Sequence, residues 1–153
     1  MGRSGSAEVI VIDTSAIVAL VFDEPERKAI ARAIQQADKV LISTVSVLEA
    51  RMVVHGRRGQ RAVVLVDDLL RLPVFEMVAP GQAESEAAYA AFVAFGKGSG
   101  HPAGLNFGDV FSYALAKVRG LPLLYKGDDF ATTDVVGVLP AAGESKRPSP
   151  GKP

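Results

Sequence analysis

The chain has no cysteine, which excludes both a disulfide framework and a thiolate metal site, so any bound metal must take oxygen or imidazole ligands. Histidine is scarce as well. His55 and His101 make up the full set, and neither has a serine or acid partner identifiable from spacing, so oxygen is the expected donor. No uninterrupted apolar run reaches the roughly 18 to 20 residues that cross a bilayer. No basic segment followed by an apolar stretch and a cleavage site opens the chain. A cytoplasmic protein with no membrane association is the resulting expectation. Net charge is also lacking, because 17 basic residues balance 17 acidic ones. That argues against coating nucleic acid through a broad positive field, but it allows an acidic centre with a local basic rim.

What remains suits one compact domain: 153 residues, of which 48% are hydrophobic and 22% charged, enough to bury a real core. Residues 1–8 are expected to be a flexible leader. Its Gly/Ser-rich start formally matches a myristoylation pattern but reads better as plain low-complexity chain. Residues 141–153 are expected to be a disordered tail, leaving 9–140 as the folded part. Val9 to Ile12 is a run of β-branched residues that predicts a central parallel strand buried on both faces. Further strands are expected at 40–42, 74–78, 121–125 and 135–139. Helices are expected from a Thr14 or Ser15 cap, from Pro25, from Ser43 or Thr44, over 61–72, over 82–95, and from Asn106 to a stop at Gly120. This alternation predicts an α/β fold: a three-layer α/β/α sandwich around a mostly parallel sheet of about five strands. Residues 96–105 form a glycine-rich loop that could move over a substrate or merely link two elements.

In such sheets ligands sit beyond the carboxyl ends of the strands, and the acids of this chain gather at such points. Asp13 follows the first strand, Glu49 lies near the start of a helix, Asp109 sits three residues after Asn106, and Asp128 and Asp129 follow the strand ending at Tyr125. Each has an ordinary reading too: a cap at Asp13, a capping box at Ser46 to Glu49, helix-dipole stabilisation at Asp109, a surface turn at 127–129. Together, however, several carboxylates at one edge would repel one another and resist ionisation unless a cation compensated. A divalent metal is the natural compensation; magnesium prefers near-octahedral oxygen coordination, keeps several waters and is usually held by one or two carboxylates plus substrate phosphate.

The segments Val-Ile-Asp13-Thr14-Ser15-Ala16, the helix with Glu49, Leu105-Asn106-Phe107-Gly108-Asp109-Val110-Phe111-Ser112-Tyr113-Ala114, and Leu-Leu-Tyr-Lys-Gly-Asp128-Asp129-Phe130 with Thr133-Asp134 resemble the PIN-domain ribonuclease toxins of the VapC type over about residues 9–140. The resemblance implies a PIN-like fold, magnesium or manganese as cofactor with no organic cofactor, and cleavage of structured RNA such as transfer or ribosomal RNA. Cleavage would proceed by metal-assisted in-line attack of water on phosphorus, leaving a 5′-phosphate and a 3′-hydroxyl. Asp13 and Asp109 resemble the main metal ligands, Glu49 the third acid and Asp129 the fourth. Some relatives place the fourth acid where this chain has Gly127, and Asp128 stands between. Thr14 and Ser15 resemble hydroxyls that bond the acids, and Asp134 a support from outside.

The resemblance also implies a homodimer and a small VapB-like antitoxin. Apolar side chains on the first helices, Val18, Val21, Phe22 and Ile30, could serve an interface or the core. Phosphate contacts would come from Lys97, Arg57, Arg58, Lys117, Arg119 and Lys126. Tyr113 and Tyr125 sit among apolar positions and suit the core better than base stacking. Two other readings compete. A PIN-like binding module with vestigial acids is one. An aspartyl-phosphate phosphotransfer domain is the other, but Ser15 stands where a haloacid-dehalogenase-like pattern wants a second acid, and no paired acids precede Asp13 as in a receiver domain.

Overall fold

The computed structural model describes residues 7–140, so the expectations for residues 1–6 and for the tail from 141 onward lie outside the described residues. Four parallel strands, β1 (Val9–Ile12), β2 (Lys39–Ser43), β3 (Phe75–Val78) and β4 (Leu123–Leu124), form one sheet in the order β3-β2-β1-β4. The period-two alternation of strand side chains divides the core. Ile10, Ile12, Val40, Ile42 and Leu124 pack on one face with α1 (Thr14–Val21), α2 (Arg27–Gln36), α3 (Thr44–Arg58) and α4 (Gln60–Leu70). Val11, Leu41 and Leu123 pack on the other with α5 (Gln82–Phe95) and α6 (Phe107–Arg119). This is the expected three-layer sandwich. Among the described residues, no helix is long and apolar enough to cross a membrane.

Three sequence expectations shift. The fifth strand, over 135–139, shrinks to a single bridge between Leu123 and Gly137, with hydrogen bonds from Leu123 N to the Val136 carbonyl and from Val138 N to the Leu123 carbonyl. β4 is two residues long and offers too little ladder for more. The first helix is capped by Asp13, in line with the ordinary reading of that residue, rather than by Thr14 or Ser15. The second begins at Arg27, because Pro25 lies in the turn before it rather than at its first position. Ile30 is buried in the chain's own core, Val21 and Phe22 pack against it, and Val18 is buried outside that cluster.

The chain moves from β1 outward to β2 and β3, then returns to place β4 on the other side of β1. The strand order therefore reverses at β1, and the crevice beyond its carboxyl end is where such sheets bind ligands. Asp13 stands at that point, its N–H donating to the Leu124 carbonyl at 2.9 Å.

Candidate active site

Asp13 is 2% exposed. Its Oδ2 accepts the Ser15 N–H at 3.0 Å, the capping bond of α1, and its Oδ1 accepts the Ser112 hydroxyl at 2.5 Å. Burial pushes its carboxyl above the ordinary value, and the bonds from Ser112 and Ser15 oppose that shift. Asp109 enters from α6, where it completes a reciprocal capping box with Asn106. The Asp109 N–H donates to Asn106 Oδ1 at 2.9 Å, and the Asn106 N–H donates to Asp109 Oδ2 at 3.0 Å. Burial raises Asp109 to about 7; the Asn106 N–H opposes this, and the charges of Asp13, Asp129 and Glu49 add to it.

Glu49 lies in the second turn of α3, since Ser43 caps that helix through the Val45 N–H. It is half-buried and also raised, chiefly by desolvation. Thr14 lies beside it, with a hydroxyl that donates to the Ser46 carbonyl at 3.2 Å. The Glu49 carboxylate rests against Gly108 of α6, where a Cβ would come within 1.8 Å of Glu49 Oε2. Glycine at this position is therefore what lets α3 deliver an acid to the start of α6.

These three acids line one cleft of about 270 Å³ with Thr14, Ser15, Asn106, Arg57 and Lys126. Two wider grooves flank exposed Phe107, with walls that are largely apolar. The converging buried carboxylates, rather than volume, mark the smaller cleft as the site. Among the described residues, no three acids or imidazoles stand close enough to share one ion as their side chains lie. The donor set nonetheless fits magnesium, which needs only one or two carboxylates beside water and phosphate. The upward shifts of Asp13, Glu49 and Asp109 are what a cation would relieve.

The PIN domain family profile matches residues 10–136. Ribonuclease VapC30 of Mycobacterium tuberculosis is 43% identical over 129 residues, which span 84% of this chain and 98% of that protein. Ribonuclease VapC of Mycolicibacterium smegmatis is likewise 43% identical over 129 residues, covering 84% and 99%. This chain belongs to the VapC ribonuclease family of PIN-domain proteins. Solved structures agree on the fold. Mycobacterium tuberculosis VapC20, named as a sarcin-ricin loop cleaving toxin, superposes with a TM-score of 0.71 at 22% identity, covering 86% of this chain and 99% of its own. VapBC-1 from nontypeable Haemophilus influenzae gives 0.63 at 18% identity, covering 84% and 96%.

On this VapC scaffold the remaining expected site residues divide. Asp128 and Asp129 are exposed on the turn after β4, and of the two Asp129 acts on Asp109. Asp134 bonds the Tyr113 hydroxyl at 2.5 Å and Lys117 at 3.0 Å, away from the cleft lining. Among the six basic candidates, Arg57 and Lys126 reach the cleft. Lys126 is held by Glu24 at 2.8 Å and Glu26 at 3.8 Å, and its N–H donates to Ser15 Oγ. Arg58, together with Arg57, lies over the Phe22 ring. Lys97 lines the apolar groove beside Phe107, Lys117 pairs with Asp134, and Arg119 ends α6. The 96–105 loop is tied at its base by Lys97 N to the Leu105 carbonyl and Leu105 N to the Phe95 carbonyl. Its His101 packs edge-on to Phe95 and accepts the Ala103 N–H, a structural role.

Sequence reasoning missed Ser112, Ser46, Gly108 and Glu24. A signal existed for the serines: Ser46 stands three residues before Glu49, and Ser112 three residues after Asp109. That spacing places each serine on its acid's helix face.

Proposed function

We propose that this protein is the toxin of a toxin–antitoxin pair: a magnesium-dependent ribonuclease, with manganese as a substitute, that cuts structured transfer or ribosomal RNA. The observation that carries this reading is the convergence of Asp13, Glu49 and Asp109 in one cleft at the strand-order reversal, each carboxyl raised by burial. Family membership supports it, because the 43% identical relatives bear the name ribonuclease.

Asp13 and Asp109 would hold the cation, with Glu49 beside them and Asp129 closing the ring from the turn. When bound, magnesium would make water a nucleophile near neutral pH and offset charge on the phosphoryl oxygens. Lys126 and Arg57, which line the same cleft, would take the backbone phosphates. Glu24 and Glu26 hold the Lys126 ammonium there and raise its pKa, so it stays charged. The buried carboxylates oppose an RNA backbone until the cation reverses their field. A VapB-like antitoxin follows from the family and from structural relatives solved as toxin–antitoxin complexes; the homodimer rests on the family resemblance.

Purified protein should degrade RNA with magnesium and stop when the metal is chelated. Asp109→Asn preserves the shape of the capping box and should abolish cleavage while leaving the fold intact by circular dichroism. Full activity in that variant would overturn the site.

A further inference from the structure

Behind the acids, α3 and α6 meet through their serines. Ser46 and Ser112 are fully enclosed, at 0% and 1% exposure, and their hydroxyl oxygens lie 3.1 Å apart although 66 residues separate them. Ser112 donates to Asp13 Oδ1. A hydroxyl has one proton, and an ionised carboxylate only accepts. When a bound cation holds Asp13 ionised, the Ser112 proton goes to Asp13 and Ser46 is then the donor between the serines. The chain therefore runs one way, from Ser46 to Ser112 to Asp13, and each bond polarises the next.

This relay does more than fill space between two helices. The Ser15 N–H holds Oδ2 and the Ser112 hydroxyl holds Oδ1, so both oxygens of the one carboxylate that follows the central strand are fixed, and its plane with them. The Ser15 hydroxyl and the Thr14 N–H also stabilise its charged form. The elements that bring Glu49 and Asp109 to the cleft also supply the relay. One helix–helix contact thus delivers two acids and aims the third.

We propose that Ser112, backed by Ser46, is a positioning residue that sets the Asp13 carboxylate for divalent-cation binding. The proposal rests on the ribonuclease reading. Hydrogen-bond partners behind a ligand tune cation affinity by about 10- to 100-fold, so Ser112→Ala should weaken manganese and magnesium binding by about that range in calorimetric titration. RNA cleavage should then demand correspondingly more metal. Ser112→Thr keeps the hydroxyl and should restore most of the affinity. Ser46→Ala should give a smaller loss in the same direction.

Melting in chelator separates a structural role from positioning. If Ser112→Ala melts lower but binds metal like the wild type, the serine only packs, and the proposal is overturned. Should Ser112→Ala fail to fold, Ser46→Ala decides, and wild-type affinity in that variant overturns the relay. A wild-type protein that takes up no cation would sink the metal-dependent reading itself, an outcome distinct from a wild type that binds and variants that match it.

Discussion

Two places in this molecule put acids at the carboxyl ends of neighbouring parallel strands, and they are built in opposite ways. After β1, Asp13 is buried, both its oxygens are bonded, and its own N–H is tied to β4. After β4, Asp128 and Asp129 stand exposed on a turn that follows Gly127, whose φ of 93° lies in the region open to glycine. The first arrangement costs desolvation and defines one geometry. The second costs little, and many backbone paths would satisfy it. A buried acid tolerates no displacement along the chain. An exposed one only has to bring its charge near Asp109.

The comparison breaks most sharply at Gly108. An alanine there would put its Cβ within 1.8 Å of Glu49 Oε2 and 2.4 Å of Cδ. Glu49 would have to leave the cleft. The clash is with the end of a flexible side chain, and alanine favours a helix over glycine by roughly 0.5–1 kcal/mol, so the fold should survive. Gly108→Ala is expected to lower cleavage by at least about 100-fold, the scale of a 1 Å misplacement, with a nearly unchanged melting temperature. Wild-type cleavage by this variant would show that the buried half has slack.

The next effect is in stability against pH. The Asp109 carboxyl is raised from 3.8 to about 7, so between these values the folded state keeps a proton that the unfolded chain releases. Stability from this group is therefore greatest below about pH 4, falls as pH rises towards 7, and stays lost above. Asparagine has nothing to ionise and can accept the same Asn106 N–H. Asp109→Asn should match the wild type near pH 4 and exceed it by about 2–4 kcal/mol at pH 8, read by urea denaturation in chelator. Magnesium should close the gap by stabilising the wild type alone. A gap of the same size at both pH values would show that Asp109 is not strained by charge.

Much of this was readable from the chain. Val9 to Ile12 announced a central strand through its unbroken apolar run, and Asn106 and Gly120 bounded α6 through known capping chemistry. Asp13, Glu49 and Asp109 were legible because each follows such a boundary. Local spacing could not reveal what two helices do when they meet. The serine pair joins residues 66 apart, and the need for glycine at 108 appears only once Glu49 lies against it. The same spacing that suggested a capping box at Ser46 to Glu49 proved to be the repeat that aims a serine at Ser112. No strand forms over 135–139 because β4, two residues long, offers that segment only a single bridge at Gly137.

The smallest effect belongs to the exposed half, and it decides between adjacent acids. Asp129 helps raise Asp109, so Asp129→Asn should bring the Asp109 carboxyl down toward its ordinary value and weaken cleavage by about tenfold, as expected for an exposed acid at the edge of the site. Its stability should hardly change, because an exposed charge loses little when neutralised. Asp128→Asn should leave both cleavage and the Asp109 titration near wild type. Paired rates and melts of the two variants test this directly. A larger loss in Asp128→Asn would move the fourth acid by one residue. Equal small losses in both would mean that the turn supplies diffuse negative potential rather than a ligand, leaving the buried acids to bind the cation by themselves.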